Sequence, residues 1–171
     1  PEARVRARLG FSGDVDVISD PEKWSVGVTD GDVSVVASTN ASLNSSTMRI
    51  IDSRGFVDIA SHAELPVVTA RPNVLRVGER DLSAAVLLPE HHEPGERWPV
   101  ICSPYGGPHA QRVIAAGGAY LTEQWLADQG FAVVVIDGRG TPGRGPDWEY
   151  AVRHDLAGPV LEDQVDALLA I

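Results

Sequence analysis

The sequence has one cysteine, Cys102, so no disulfide within the chain can staple it. It contains no run of eighteen consecutive apolar residues, which excludes a membrane-spanning helix. Basic residues are scarce, 14 Lys and Arg against 24 Asp and Glu, for a formal net charge of −10. A nucleic-acid partner would want a basic face, so none is expected. The acidic surplus reads as a solvated surface. The composition of a disordered chain is also missing, because 43% hydrophobic residues are enough to build a core. The chain opens on Pro1 without a signal peptide. Its last stretch, EDQVDALLAI, stops inside an apolar-periodic run. Both ends are expected to be cuts in something larger, and the compartment is open, with the cytoplasm favoured.

What is there divides near residue 72. Residues 1–72 read as short strands between turns. DVDVIS (14–19) alternates, and KWSVGV puts Trp24, Val26 and Val28 on one face. TDGD (29–32) signals a hairpin, with Asp-Gly suited to a type I′ turn onto VSVVAST (33–39). A second pair is expected to join TMRIIDSRG (47–55) to FVDIASH (56–62) across Ser53-Arg54-Gly55. Strands this close together, with no helices between them, suggest an antiparallel propeller blade or sandwich.

Residues 73–171 have another pattern. NVLRVGERDLSAAVLLP (73–89) reads as a hairpin turning at Gly78-Glu79, and WPVICSPYGGP (98–108) as a short buried strand ending in a turn, with Cys102 a small buried hydrophobe. AYLTEQWLADQG (119–130) is predicted to be a helix with Leu121 and Trp125 on one face and Gly130 as its stop. FAVVVID (131–137) suits a strand buried on both faces. GPVLEDQVDALLAI (158–171) opens a second helix, with Leu161, Val165 and Leu168 as its inner stripe. This alternation is the mark of an open α/β sheet, whose ligands bind beyond the carboxyl ends of the strands. Those ends carry SPYGGPH and DGRGTPGRG.

YGGPH (105–109) has the composition of a loop that supplies an oxyanion-hole donor, and equally that of a plain tight turn around a packed tyrosine. DGRGTPGRG contains G-x-G-x-x-G at Gly138, Gly140 and Gly143, with Asp163 further on, as a dinucleotide site would. That fingerprint must open a helix at once, and Pro142, Gly145 and Pro146 argue against one. No cofactor is expected. His91, His92 and Glu93 share a loop and read as solvated, so no metal is expected. His154-Asp155 is a weak acid–base candidate. Trp148 and Tyr150 are read as anchoring the second loop to the sheet.

Taken together, PVICSPYGGPHAQRV, WLADQGFAVVVIDGRGTPGRGPDWEYAV and DLAGPVLEDQVDAL resemble the prolyl oligopeptidase family of serine peptidases, most nearly its dipeptidyl peptidase IV branch. The resemblance covers residues 73–171 and keeps both order and spacing. It implies an α/β fold: the start of an α/β-hydrolase domain (73–171), preceded by antiparallel strands from the end of a β-propeller (1–72). It also implies a peptide substrate, with Tyr105 offering its hydroxyl to the oxyanion. Gly106, Gly107, His109 and Arg139 are candidates for lining the substrate cleft. The full-length protein is a candidate homo-oligomer.

The departure is the nucleophile. No G-x-S-x-G occurs, and GFSGD (10–14) is not that pattern. The triad order Ser…Asp…His puts all three residues beyond Ile171. Ser103 is not promoted in their place. The paired glutamates with which dipeptidyl peptidases hold an amino terminus have no matching motif here. The alternatives are a carboxylesterase or lipase sharing the sheet, and a binding homologue that has lost catalysis.

Overall fold

A computed structural model describes residues 7–9, 15–17, 19–20, 22–105 and 108–171. The chain forms two compact units, one of residues 1–70 with 114–121, the other of 71–113 with 122–171.

In the first unit β1 (Ala7–Leu9) pairs antiparallel with β2 (Val15–Val17). Then β3 (Trp24–Asp30), β4 (Val33–Thr39), β5 (Thr47–Asp52) and β6 (Gly55–Ile59) form a four-stranded antiparallel meander in sequence order. The first hairpin turns on Gly31-Asp32, because Asp30 pairs with Val33. Only Gly31 has positive φ, at 57°. A glycine at the first central position is the requirement of a type II′ turn, so the Asp-Gly type I′ reading is corrected.

The alternation of β3 is as expected, but its apolar face is the open one. Val28, Val35, Ile50 and Val57 form one cross-strand row, and Val26, Ala37, Met48 and Ile59 another. Val28 is 72% exposed and Val57 67%, while Ser25, Ser34 and Val36 on the opposite face are buried. That buried face satisfies its hydroxyls in cross-strand pairs, Ser25 with Ser38 at 2.8 Å and Thr29 with Ser34 at 2.9 Å. The segment Ile114–Leu121 joins this unit at the turn after β4: Gly117 N donates to Asn40 O and Gly118 N to Leu43 O. A Cβ at Gly117 would lie 2.6 Å from Leu43 O, so only glycine permits this approach.

The second unit is built on a sheet ordered β7 (Asn73–Val77), β8 (Leu82–Leu87), β10 (Ala132–Asp137), β9 (Val100–Cys102). β10 runs antiparallel to β8 and parallel to β9. It is therefore central, with both edges paired. One of the sheet's two edge strands is β9, where Val100 is 50% exposed and Cys102 is exposed rather than buried. A three-residue edge strand with one neighbour cannot cover its own side chains. The reading of FAVVVID as buried on both faces holds, since Val133, Val134, Val135 and Ile136 are all inaccessible or nearly so.

Helix α1 (Leu121–Ala127) follows a 3-10 turn, Gly117–Tyr120, and Gly130 at φ 97° ends the segment. Its inward residues are Glu123, Gln124 and Ala127, whereas Trp125 is 53% exposed. Gln124 is satisfied in the interior: Nε2 donates to Leu88 O and Asp128 Oδ1, and Oε1 accepts from Arg71 N. Pro146 does not block a helix but starts a short one, α2 (Pro146–Tyr150), at the position where its missing N–H costs nothing.

Helix α3 (Gly158–Ala170) corrects the sequence most sharply. The stripe Leu161, Val165 and Leu168 faces outward, with Leu161 65% exposed. The buried residues are Asp163 and Ala167, and Ala167 belongs to the core of Val77, Leu82, Ala84, Val134 and Ile136. The helix start is held by Asp155, whose Oδ1 accepts from Ala157 N and Gly158 N at 2.9 Å each. These bonds, Gly158's first, hold the carboxyl below its ordinary pKa. A depressed pKa means the stabilisation is full above the ordinary carboxylate range and is lost as pH falls through the folded value. The helical NMR shifts at the start of α3 are accordingly expected to weaken on acidification below about pH 4, and in Asp155→Ala to be weak already at neutral pH. Equal pH response in the two proteins would count against this cap.

Candidate functional site

Because β9 and β10 are parallel, the loops after Cys102 and Asp137 leave from the same sheet edge. The first loop carries Tyr105, 41% exposed, and His109, also exposed. Gly106 and Gly107 lie outside the described residues.

The first loop is tied down on both sides of Tyr105. Ser103 N donates to Val134 O at 2.8 Å, prolonging the β9–β10 pairing, and Ser103 Oγ donates to Glu123 Oε1 at 3.2 Å. The same Glu123 oxygen accepts from Arg112 Nη2 at 2.6 Å. Further along, Arg112 N donates to both oxygens of Asp137, at 3.0 and 2.9 Å, and Val113 N donates to Oδ2 at 2.8 Å. Asp137 is 5% exposed and Val113 is inaccessible. Two backbone donors that no strand pairs are thus satisfied by one carboxylate, a strong charge-assisted arrangement. Sequence reasoning missed Asp137, Arg112 and Glu123. The available signal was a carboxylate closing an apolar strand, where an unpaired charge would be costly.

The second loop is locked from within. Gly138 O accepts from Trp148 Nε1 at 3.0 Å and Thr141 Oγ1 at 2.8 Å, so Trp148 anchors the loop as expected, while Tyr150 is 68% exposed. The Arg144 guanidinium stacks 3.9 Å from the Trp148 ring centroid. Arg139 turns toward α3. Its N–H donates to Asp163 Oδ2 at 2.6 Å, Nε reaches both Asp163 oxygens, and Nη2 reaches Glu162 Oε2 and Pro159 O. Asp163, then Glu162, pushes the guanidinium pKa up from its ordinary value. Asp163 also lies 3.7 Å from Arg80 Nη1. A Cβ on Gly138 would sit 2.7 Å from Asp163 Cβ, and Gly140, at φ 95°, lies against Val152. These glycines serve close packing.

The histidine loop stays apart from this edge: His92 Nδ1 contacts Pro89 O at 3.0 Å. Among the described residues, no group of three or more His, Cys, Asp or Glu is placed to hold a metal, and no helix is long and apolar enough to cross a membrane.

Residues 119–171 match the model of the prolyl oligopeptidase family. Over those residues the chain is similar to that family, and the curated proteins it resembles include dipeptidyl peptidases. Similar curated proteins include the probable dipeptidyl-aminopeptidase B of Botryotinia fuckeliana, 29% identical over 131 residues, which are 77% of this chain and 14% of that protein. Dipeptidyl peptidase 8 of Homo sapiens is 37% identical over 82 residues, 47% of this chain and 9% of that protein. The crystal structure of Porphyromonas gingivalis dipeptidyl peptidase 4 superposes with a TM-score of 0.81 at 20% identity, over 96% of this chain and 25% of that one. The fold is therefore the start of an α/β-hydrolase domain preceded by antiparallel strands of a β-propeller. The chain spans a small part of the length of these relatives.

Proposed function

We propose that the protein containing these residues is a serine peptidase of the dipeptidyl peptidase type, cleaving peptide bonds of oligopeptides through an acyl-enzyme, with Tyr105 as an oxyanion donor. The observation that carries the reading is the half-exposed tyrosine just past β9, on the sheet edge where the parallel strands β9 and β10 both end. In α/β-hydrolases a donor to the oxyanion comes from the loop in that position. The loop's ties at Ser103, Arg112 and Val113 support it, since a donor helps only when held where charge develops.

In the reaction a serine oxygen bonds to the scissile carbonyl carbon and its proton passes to a histidine. The carbonyl π pair becomes the oxyanion, which accepts the Tyr105 hydroxyl and a backbone N–H. Collapse restores the carbonyl and expels the amine, which takes the histidine's proton. Water then repeats the sequence, releasing the acid and the free serine. No G-x-S-x-G occurs in these residues, so the reading assigns the triad to other sequence and makes the 171 residues inactive alone. Gly106, Gly107 and His109 remain cleft candidates. Arg139 belongs to that group with its guanidinium already engaged by α3.

The test uses the complete enzyme with a proline-containing dipeptide amide and a simple acyl ester. Amine release with burst kinetics is expected. Turnover of the ester with none of the amide would instead identify an esterase, and no turnover of either would indicate a binding homologue.

A further inference from the structure

We propose that Asp137 is a positioning residue for catalysis, holding the Tyr105 loop at the height the oxyanion requires; this rests on the reading of Tyr105 given above. Asp137 ends β10, and its backbone is fixed by pairing with Ser83 of the neighbouring strand. Its carboxylate reaches across to Arg112 N and Val113 N at 2.8–3.0 Å. The loop leaves the sheet at Ser103 and is recaptured at these two amides. Between them, among the described residues, lies Tyr105.

The geometry makes Asp137 the far clamp. Glu123 ties the loop through two exchangeable side-chain contacts, from Ser103 and Arg112, and the Arg112 side chain is 33% exposed. Asp137 instead holds main-chain N–H groups from a buried position, which fixes the backbone itself. A shift of about 1 Å in a catalytic group can cost roughly a hundredfold in rate. Loosening this end would therefore reach Tyr105 without any contact between Asp137 and substrate. Arg112 N and Val113 N both bond Oδ2, so an asparagine presenting its oxygen there retains part of the clamp.

The experiment compares Asp137→Ala, Asp137→Asn and Tyr105→Phe, singly and combined, in the complete enzyme. Asp137→Ala is expected to lower kcat about ten- to hundredfold with KM within about twofold, and Asp137→Asn about threefold. In the Tyr105→Phe background both losses are expected to vanish, because the clamp then has no hydroxyl to position. If Asp137→Ala does not fold, the asparagine cycle decides alone. Unchanged kcat in a folded variant, or the same loss in both backgrounds, overturns the inference and assigns Asp137 a purely structural role. If Tyr105→Phe itself leaves kcat unchanged, it is the underlying reading of Tyr105 that fails.

Discussion

Tyr105→Phe in the complete enzyme is expected to lower kcat by about 10²–10³, with KM little changed. The substitution removes one oxygen and leaves the ring, so packing and loop geometry are preserved. A ground-state carbonyl carries little charge, and the hydroxyl gains its full worth only when the oxygen becomes anionic. That difference, about 2.7–4 kcal/mol for a single oxyanion donor, falls on kcat. Tyr105 is 41% exposed, on the side of the sheet where β9 and β10 end. Steady-state kinetics on a dipeptide amide settles the point, and equal kcat for the two proteins would remove the tyrosine from the mechanism.

Asp163→Ala is expected to destabilise the fold by about 2–4 kcal/mol, the largest effect on stability we anticipate. Asp163 is inaccessible, and it accepts from Arg139 N and Nε while lying near Arg80. Removing it strands Arg139 in a part-buried site and leaves one main-chain donor unsatisfied. Glu162 still pairs with Arg139 Nη2, and that side chain is 21% exposed, so the loss stays below that of a fully enclosed pair. Asp163→Asn, which keeps an acceptor for Arg139 N, should lose less. Denaturant melts of the complete enzyme measure both. Equal stability of alanine variant and parent would mean that α3 is held by Ala167 and its neighbours alone.

Asp163 also shows where reading from residues runs out. Its helix was legible, with Pro159 in the first turn and apolar residues at helical spacing. Spacing identifies a stripe but not what lies opposite it. In this chain the sheet side of α3 takes the small Ala167 and the charged Asp163, because the loop after β10 brings Arg139 to meet them. The outward Leu161, Val165 and Leu168 obey the same periodicity. Likewise Trp24, Val26 and Val28 alternate as a strand should, yet the covered face of the meander is the one with Ser25 and Ser34. Of the candidate site, Tyr105 was legible through its glycine-rich surroundings and the family resemblance. Asp137 was not, since its two partners lie on a loop distant in sequence.

The sequence by itself determined most of the strands and the two longer helices, because backbone sterics and hydrophobic period act between near neighbours: Gly31 and Gly130 sit where positive φ is needed, and β10 is apolar up to Asp137. Only the tertiary structure decided that β10 lies between β8 and β9, which faces are covered, and which carboxylate grips the Tyr105 loop. Those outcomes depend on pairings across long stretches of chain, where many partners satisfy the same local pattern and packing selects one.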